Sequence, residues 1–157
     1  MAKKTISIFG CTGSVGTTTL DIIRENKEQF EVKVLTANKN IDDLILFANE
    51  FNPEAICFNN ASDLEKVKNE INTDKMEYYI GDQGLLECAK ICTDIVVAGI
   101  VGLAGLRPLL ESIKNSKKVC IANKECFVSA GSLIMSDAKK YKAQIFPLDS
   151  EHSAIFQ

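Results

Sequence analysis

An α/β architecture, with a doubly wound parallel sheet covered by helices on both faces, is what this sequence predicts, and three observations predict it. Short runs of β-branched and apolar residues alternate with helix-period segments along the chain. The first strand passes directly into a glycine-rich turn and then into a helix, in TISIFGCTGSVGTTTLDII over residues 5–23. Polar or glycine-rich segments follow the strands, as they do where ligands collect at the carboxyl edge of an open sheet.

The first unit sets the pattern for the rest. Residues 5–9 read as a strand buried on both faces. Gly10, Gly13 and Gly16 recur at three-residue spacing, and Leu20, Ile22 and Ile23 resume at helical spacing, with Ser14 or Thr17 available as a cap. Glycine there permits positive φ and close approach of a ligand. The N–H groups of the new helix then face an anion, which is the logic of a Rossmann-like dinucleotide site. The G-x-x-G-x-x-G spacing differs from G-x-G-x-x-G, so a plain structural turn stays open. A P-loop is the nearest rival, but no Lys precedes the Thr run.

The remaining elements follow in order. Strands are expected at 31–37, 55–58, 78–80, 94–98, 118–122 and 143–146. Helices are expected at 41–51, ended by Pro53, at 62–71, opened by a Ser62/Glu65 capping box, at 82–91, at 106–113 and at 127–141. Right-handed βαβ units and a parallel sheet follow from that alternation.

Composition narrows the class. The chain has 157 residues, 46% of them hydrophobic and 25% charged, enough for a substantial core. A net charge of −3, with no basic run longer than the pairs Lys3–Lys4, Lys117–Lys118 and Lys139–Lys140, argues against a nucleic-acid partner. The longest apolar stretch, 95–106, holds three glycines and is too short to cross a bilayer, and no signal-peptide pattern precedes the first strand. Six cysteines without a C-x-x-C pair suit a reducing, cytoplasmic setting; Cys88 and Cys92 are expected to face each other on one helix.

Two constellations carry chemistry. After the second strand, where an acidic residue normally meets the adenosine ribose, stand Asn38, Lys39 and Asn40. A cation between amides suits a 2′-phosphate, favouring NADPH over NADH, although a solvated turn has the same composition and Asp42 and Asp43 follow closely. Near the C-terminus, Asp149-Ser150-Glu151-His152 places two carboxylates one residue apart. They offer hard oxygen ligands to Mg²⁺ or Mn²⁺, while Asp149 or Ser150 could equally cap a helix. Lys124, between Asn123 and Glu125, could face an anionic substrate or stand on an exposed turn.

The stretches IFGCTGSVGTTTLDII, VVAGIVGLAGLRPLLESI, IANKECFVSAG and FPLDSEHSAIFQ, in this order and spacing, resemble the 1-deoxy-D-xylulose 5-phosphate reductoisomerase family over essentially the whole chain. The resemblance implies an NADPH-dependent, divalent-metal-dependent enzyme of non-mevalonate isoprenoid biosynthesis, which isomerises 1-deoxy-D-xylulose 5-phosphate and reduces the product to 2-C-methyl-D-erythritol 4-phosphate. It implies cofactor contacts from Thr12, Gly13, Ser14, Val15, Lys39, Asn40, Asn123 and Glu125, and from Asn38, where many members carry Gly. Cys11 replaces the usual Ser of the loop. It further implies substrate contacts from Lys124 and Ser150, metal ligation by Asp149 and Glu151, and a catalytic set of Lys124, Asp149 and Glu151.

On this reading residues 1–147 form the cofactor domain and 148–157 begin a catalytic domain that continues beyond Gln157. The full-length enzyme is expected to be a homodimer, and this chain alone to be inactive. The alternatives are a nucleotide-binding module without its own catalysis and a metal-free carbonyl oxidoreductase with Cys126 as nucleophile.

Overall fold

The computed structural model describes residues 2–148. Seven strands form one fully parallel sheet: β1 (Lys4–Phe9), β2 (Phe30–Thr36), β3 (Ala55–Phe58), β4 (Glu77–Ile80), β5 (Thr93–Ala98), β6 (Ser116–Ile121) and β7 (Gln144–Pro147). Their order is β4-β3-β2-β1-β5-β6-β7. The winding direction therefore reverses between β1 and β5, the place where an open α/β sheet leaves a crevice at its carboxyl edge.

Among the described residues six α-helices cover the sheet: α1 (Ser14–Glu25), α2 (Ile41–Phe51), α3 (Leu64–Glu70), α4 (Gly81–Ala89), α5 (Leu106–Asn115) and α6 (Lys124–Tyr141). Strand periodicity divides the core into two layers. Ile6 and Ile8 of β1 pack with Leu20 and Ile23 of α1, Leu44 and Ile45 of α2 and Val67 of α3. Phe9 faces the other way, with Cys88 of α4, Leu109 and Ile113 of α5, and Cys126 and Ile134 of α6. Of the apolar residues placed on α1, Ile22 points outward. Among the described residues no helix is long and apolar enough to cross a membrane.

Local corrections to the sequence reading have physical causes. Gly13 occupies the N-cap of α1, and no side chain caps it; Thr17 Oγ1 instead donates back to the Gly13 and Ser14 carbonyls. Ser62 does not form its capping box, because residues 61–63 close a 3₁₀ turn and α3 starts only at Leu64 without a side-chain cap. Cys92 lies beyond the end of α4 and is exposed, so it does not face Cys88. Cys88 lies against Cys57 of β3 instead, and the Cys57 thiol together with burial pushes Cys88 up. The helix expected at 127–141 starts three residues earlier, at Lys124, so Lys124 and Glu125 form the first turn of α6, and that helix kinks at Ala130, the neighbour of Gly131.

Candidate functional site: the carboxyl edge between β1 and β5

Gly10 and Gly99 meet where β1 and β5 end. Gly10 has φ +79, and a Cβ there would lie 3.0 Å from the Gly99 carbonyl carbon and oxygen. Only glycine lets these two turns touch. The Gly10 N–H donates to Thr36 Oγ1 and the Cys11 N–H to the Thr36 carbonyl, at 3.0 and 2.8 Å, which ties the loop to the end of β2. At Gly16 a Cβ would come within 2.4 Å of the Gly10 oxygen, so the first turn of α1 sits directly on the loop.

The loop's polarity follows from its helix. Gly13 N donates to Gly10 O, and Thr17 N is the first to close an α-helical turn, onto Gly13 O. The N–H groups of Ser14, Val15 and Gly16 therefore have no intrahelical acceptor, and no side chain caps them. They constitute an anion-binding end. Val15 Cβ stands 3.9 Å from where a Gly99 side chain would begin, so its body packs on the β5 turn while its N–H stays with the loop.

A cleft of about 370 Å³ opens above this junction. Thr12, Gly13 and Asn38 line it together with Gly10 and Gly99, so the glycine loop and the end of β2 share one cavity as the sequence suggests. Lys39 is exposed on the turn beside Asn38. Asn40 caps α2: its Oδ1 accepts from the Asp43 N–H and its Nδ2 donates to Asp43 Oδ2. Asp42 pairs with Lys66 at 2.6 Å. Both acids that could compete for Lys39 thus have other partners.

Asn123, Lys124 and Glu125 form a neighbouring group rather than part of that cleft. Asn123 is 7% exposed and is the N-cap of α6, accepting from the Cys126 N–H. Its Nδ2 donates to the carbonyls of Ile100 and Gly102, so it clamps the loop after β5 to the start of α6. Glu125 Oε2 lies 3.7 Å from the Cβ position of Gly102, across the same loop. Lys124 is exposed on the first turn of the helix. Asp149, Ser150, Glu151 and His152 lie outside the described residues. The preceding Leu148 N–H donates to Ile121 O at 2.9 Å, so the chain leaves β7 at this same carboxyl edge.

Thiol chemistry is disfavoured here. Cys126 is fully buried and its thiol is pushed up by desolvation and by Glu125. Burial also raises Cys11 in the glycine loop to about 12. Neither is an activated nucleophile, which removes the support for a Cys126-dependent oxidoreductase.

Sequence reasoning missed the far wall of the cleft. Asn59 after β3, and Gly81, Asp82 and Leu85 after β4, line it as well. The usable signal was position: in a parallel sheet every strand's carboxyl end opens on the same edge. Among the described residues no group of three or more His, Cys, Asp or Glu side chains could hold a metal ion.

Comparison with known proteins agrees with this layout. The family model described as 1-deoxy-D-xylulose 5-phosphate reductoisomerase matches residues 6–131. The enzyme of that name from Clostridium perfringens strain 13 is 43% identical over 157 residues, covering 98% of this chain and 41% of its own length. The Bacteroides fragilis enzyme is 41% identical, covering 99% and 40%. The chain therefore spans about two fifths of the length of these relatives. Among solved structures, the Zymomonas mobilis reductoisomerase in complex with NADPH superposes with a TM-score of 0.94 at 36% identity, covering 99% of this chain and 41% of that one. A DOX-P reductoisomerase in complex with NADPH, fosmidomycin and magnesium gives 0.90 at 38% identity, covering 98% and 38%. With its family model matching most of its residues and its sheet superposing on those enzymes, the chain belongs to the 1-deoxy-D-xylulose 5-phosphate reductoisomerase family.

Proposed function

We propose that this chain is the NADPH-binding portion of a divalent-metal-dependent reductoisomerase that converts 1-deoxy-D-xylulose 5-phosphate to 2-C-methyl-D-erythritol 4-phosphate. The observation that carries the proposal is the single cleft joining the uncapped first turn of α1 to Asn38 at the point where the sheet reverses direction. A dinucleotide fits it by charge and by shape: pyrophosphate over the N–H groups of Ser14 and Val15, adenosine toward Asn38, Lys39 and Asn40. Lys39, exposed and in no ion pair among the described residues, favours the 2′-phosphate of NADPH. NADPH supplies the hydride when bound.

The chain's own residues do the positioning. Thr12 and Gly13 leave the phosphate approach open, and Val15 holds the loop against Gly99. Asn123 fixes the wall after β5, with Glu125 across Gly102 on the nicotinamide side. Lys124, one residue from that clamp, meets the anionic substrate, and Ser150 does so from the segment after β7. Asp149 and Glu151 supply two hard carboxylate donors suited to Mg²⁺ or Mn²⁺. The described residues add no further ligand cluster, so the remaining ligands come from solvent, substrate or the part of the enzyme that this chain does not span. Residues 1–147 then constitute the cofactor domain and 148–157 the beginning of the catalytic one, in a cytoplasmic enzyme that is homodimeric at full length.

The intact protein, assayed with 1-deoxy-D-xylulose 5-phosphate, NADPH and Mn²⁺, is expected to oxidise NADPH only while the metal is free, and to stop when a chelator is added. Turnover that ignores the chelator contradicts the proposal. NADPH binding with no turnover under any condition supports instead a nucleotide-binding module without chemistry of its own. The 157-residue chain alone is expected to bind NADPH without turnover.

A further inference from the structure

We propose that the far end of the cleft reads the base of the dinucleotide, with the Asp82 carboxylate accepting a hydrogen bond from the exocyclic amine of adenine. The inference rests on the dinucleotide reading above.

The two ends of the cleft have opposite chemistry. At one end lie Gly10, Gly13 and the uncapped N–H groups of α1. At the other lies Asp82, exposed and in no hydrogen bond or ion pair among the described residues. Phosphate is drawn to the first end and repelled from the second. A nucleotide half can therefore lie in one direction only, with its base toward α4. A volume of about 370 Å³ lies within the range of small-molecule sites.

The local backbone makes Asp82 available. Gly81 takes φ +72 to turn β4 into α4, with nothing within 4 Å of its Cβ position, and it lines the cleft beside Asp82. Leu85, one turn along α4, is half-buried on the same wall and offers an apolar surface to a ring. Asn59, at the end of β3, adds an amide to the rim. The structural role open to Asp82, a favourable charge in the first turn of α4, requires no orientation toward the cleft. Base recognition does, and it discriminates. Adenine presents an N6 amino donor to a carboxylate, whereas hypoxanthine presents an O6 acceptor that the carboxylate repels.

The test is a titration of the intact protein with NADPH and with its analogue carrying hypoxanthine in place of adenine. The wild type is expected to bind NADPH about tenfold more tightly than the analogue. Asp82→Ala should weaken NADPH and bring the ratio close to one. Asp82→Asn, which keeps the shape and provides the comparison should the alanine variant fail to fold, should lower the ratio as well. Equal affinities in the wild type, or an unchanged ratio in the variants, overturn the assignment of Asp82 while leaving the dinucleotide site in place. Failure of the wild type to bind either nucleotide overturns both.

Discussion

At the amino edge of the sheet Asp94 accepts from the Thr5 N–H and Thr5 Oγ1, its own N–H donates back to Thr5 Oγ1, and Lys117 lies 3.3 Å away. Just inside, the buried hydroxyls of Ser7 and Thr93 pair at 3.1 Å. At the carboxyl edge the same two strands end in Gly10 and Gly99, and the next helix begins without a side-chain cap. Between β1 and β5, the amino ends satisfy their polar groups internally, while the carboxyl ends leave the first N–H groups of α1 uncapped beside a cleft. Groups satisfied from within stabilise the fold, and groups left open are available to a ligand. The difference predicts that substitutions at the two edges separate stability from binding.

The largest effect is expected where the carboxyl edge is also packed. Gly16→Ala drives a methyl to 2.4 Å from Gly10 O and 2.6 Å from Cys11 Cα, backbone that cannot give way. It should cost about 3 kcal/mol or more in urea unfolding and abolish NADPH binding with it. Near-wild-type stability would show that the loop is not seated on α1.

Gly13→Ala sharpens the comparison, because its Cβ would meet only Gly10 O at 3.5 Å and its φ of −80 suits any residue. Stability should change by less than about 0.5 kcal/mol. NADPH affinity should fall about tenfold, since the methyl occupies the phosphate approach. Equal losses of stability and affinity would erase the distinction drawn here.

The smallest effect is expected at the amino edge. Asp94→Asn removes a carboxylate that the Thr5 N–H holds below its ordinary range. It should cost about 1 kcal/mol and leave NADPH affinity unchanged. The sign with pH follows. A carboxyl depressed in the folded state contributes above its unfolded value and loses that contribution as pH falls through its folded value. The wild type and Asp94→Asn should therefore differ in stability at neutral pH and converge in acid. A difference that persists in acid would assign the effect to packing.

The same contrast explains what could be read from the chain itself. The glycine loop was legible because glycines at three-residue spacing between a strand and a helix have few other uses, and Gly10 and Gly16 turn out to be sterically required. Asn38 could be placed beside the cleft from its position after β2, whereas the capping role of Asn40 on α2 was not read from the sequence. Asn123 was legible as important but not in its geometry: all its polar atoms bind the chain itself. Asp82 escaped notice because β4 is only four residues long and a lone Gly-Asp carries no spacing signal. Ser62 misled because local capping preference is weaker than the 3₁₀ turn that the β3 connection imposes.

The central claim is that the carboxyl edge between β1 and β5 holds a phosphorylated nicotinamide dinucleotide. An amide chemical-shift titration of the chain with NADPH tests it most directly. The account predicts saturable shifts confined to residues 10–16, 38–40, 81–85 and 99–105, with Thr5, Ser7 and Asp94 unmoved. Shifts centred on the Thr5–Asp94 edge, or none at millimolar NADPH, would contradict it.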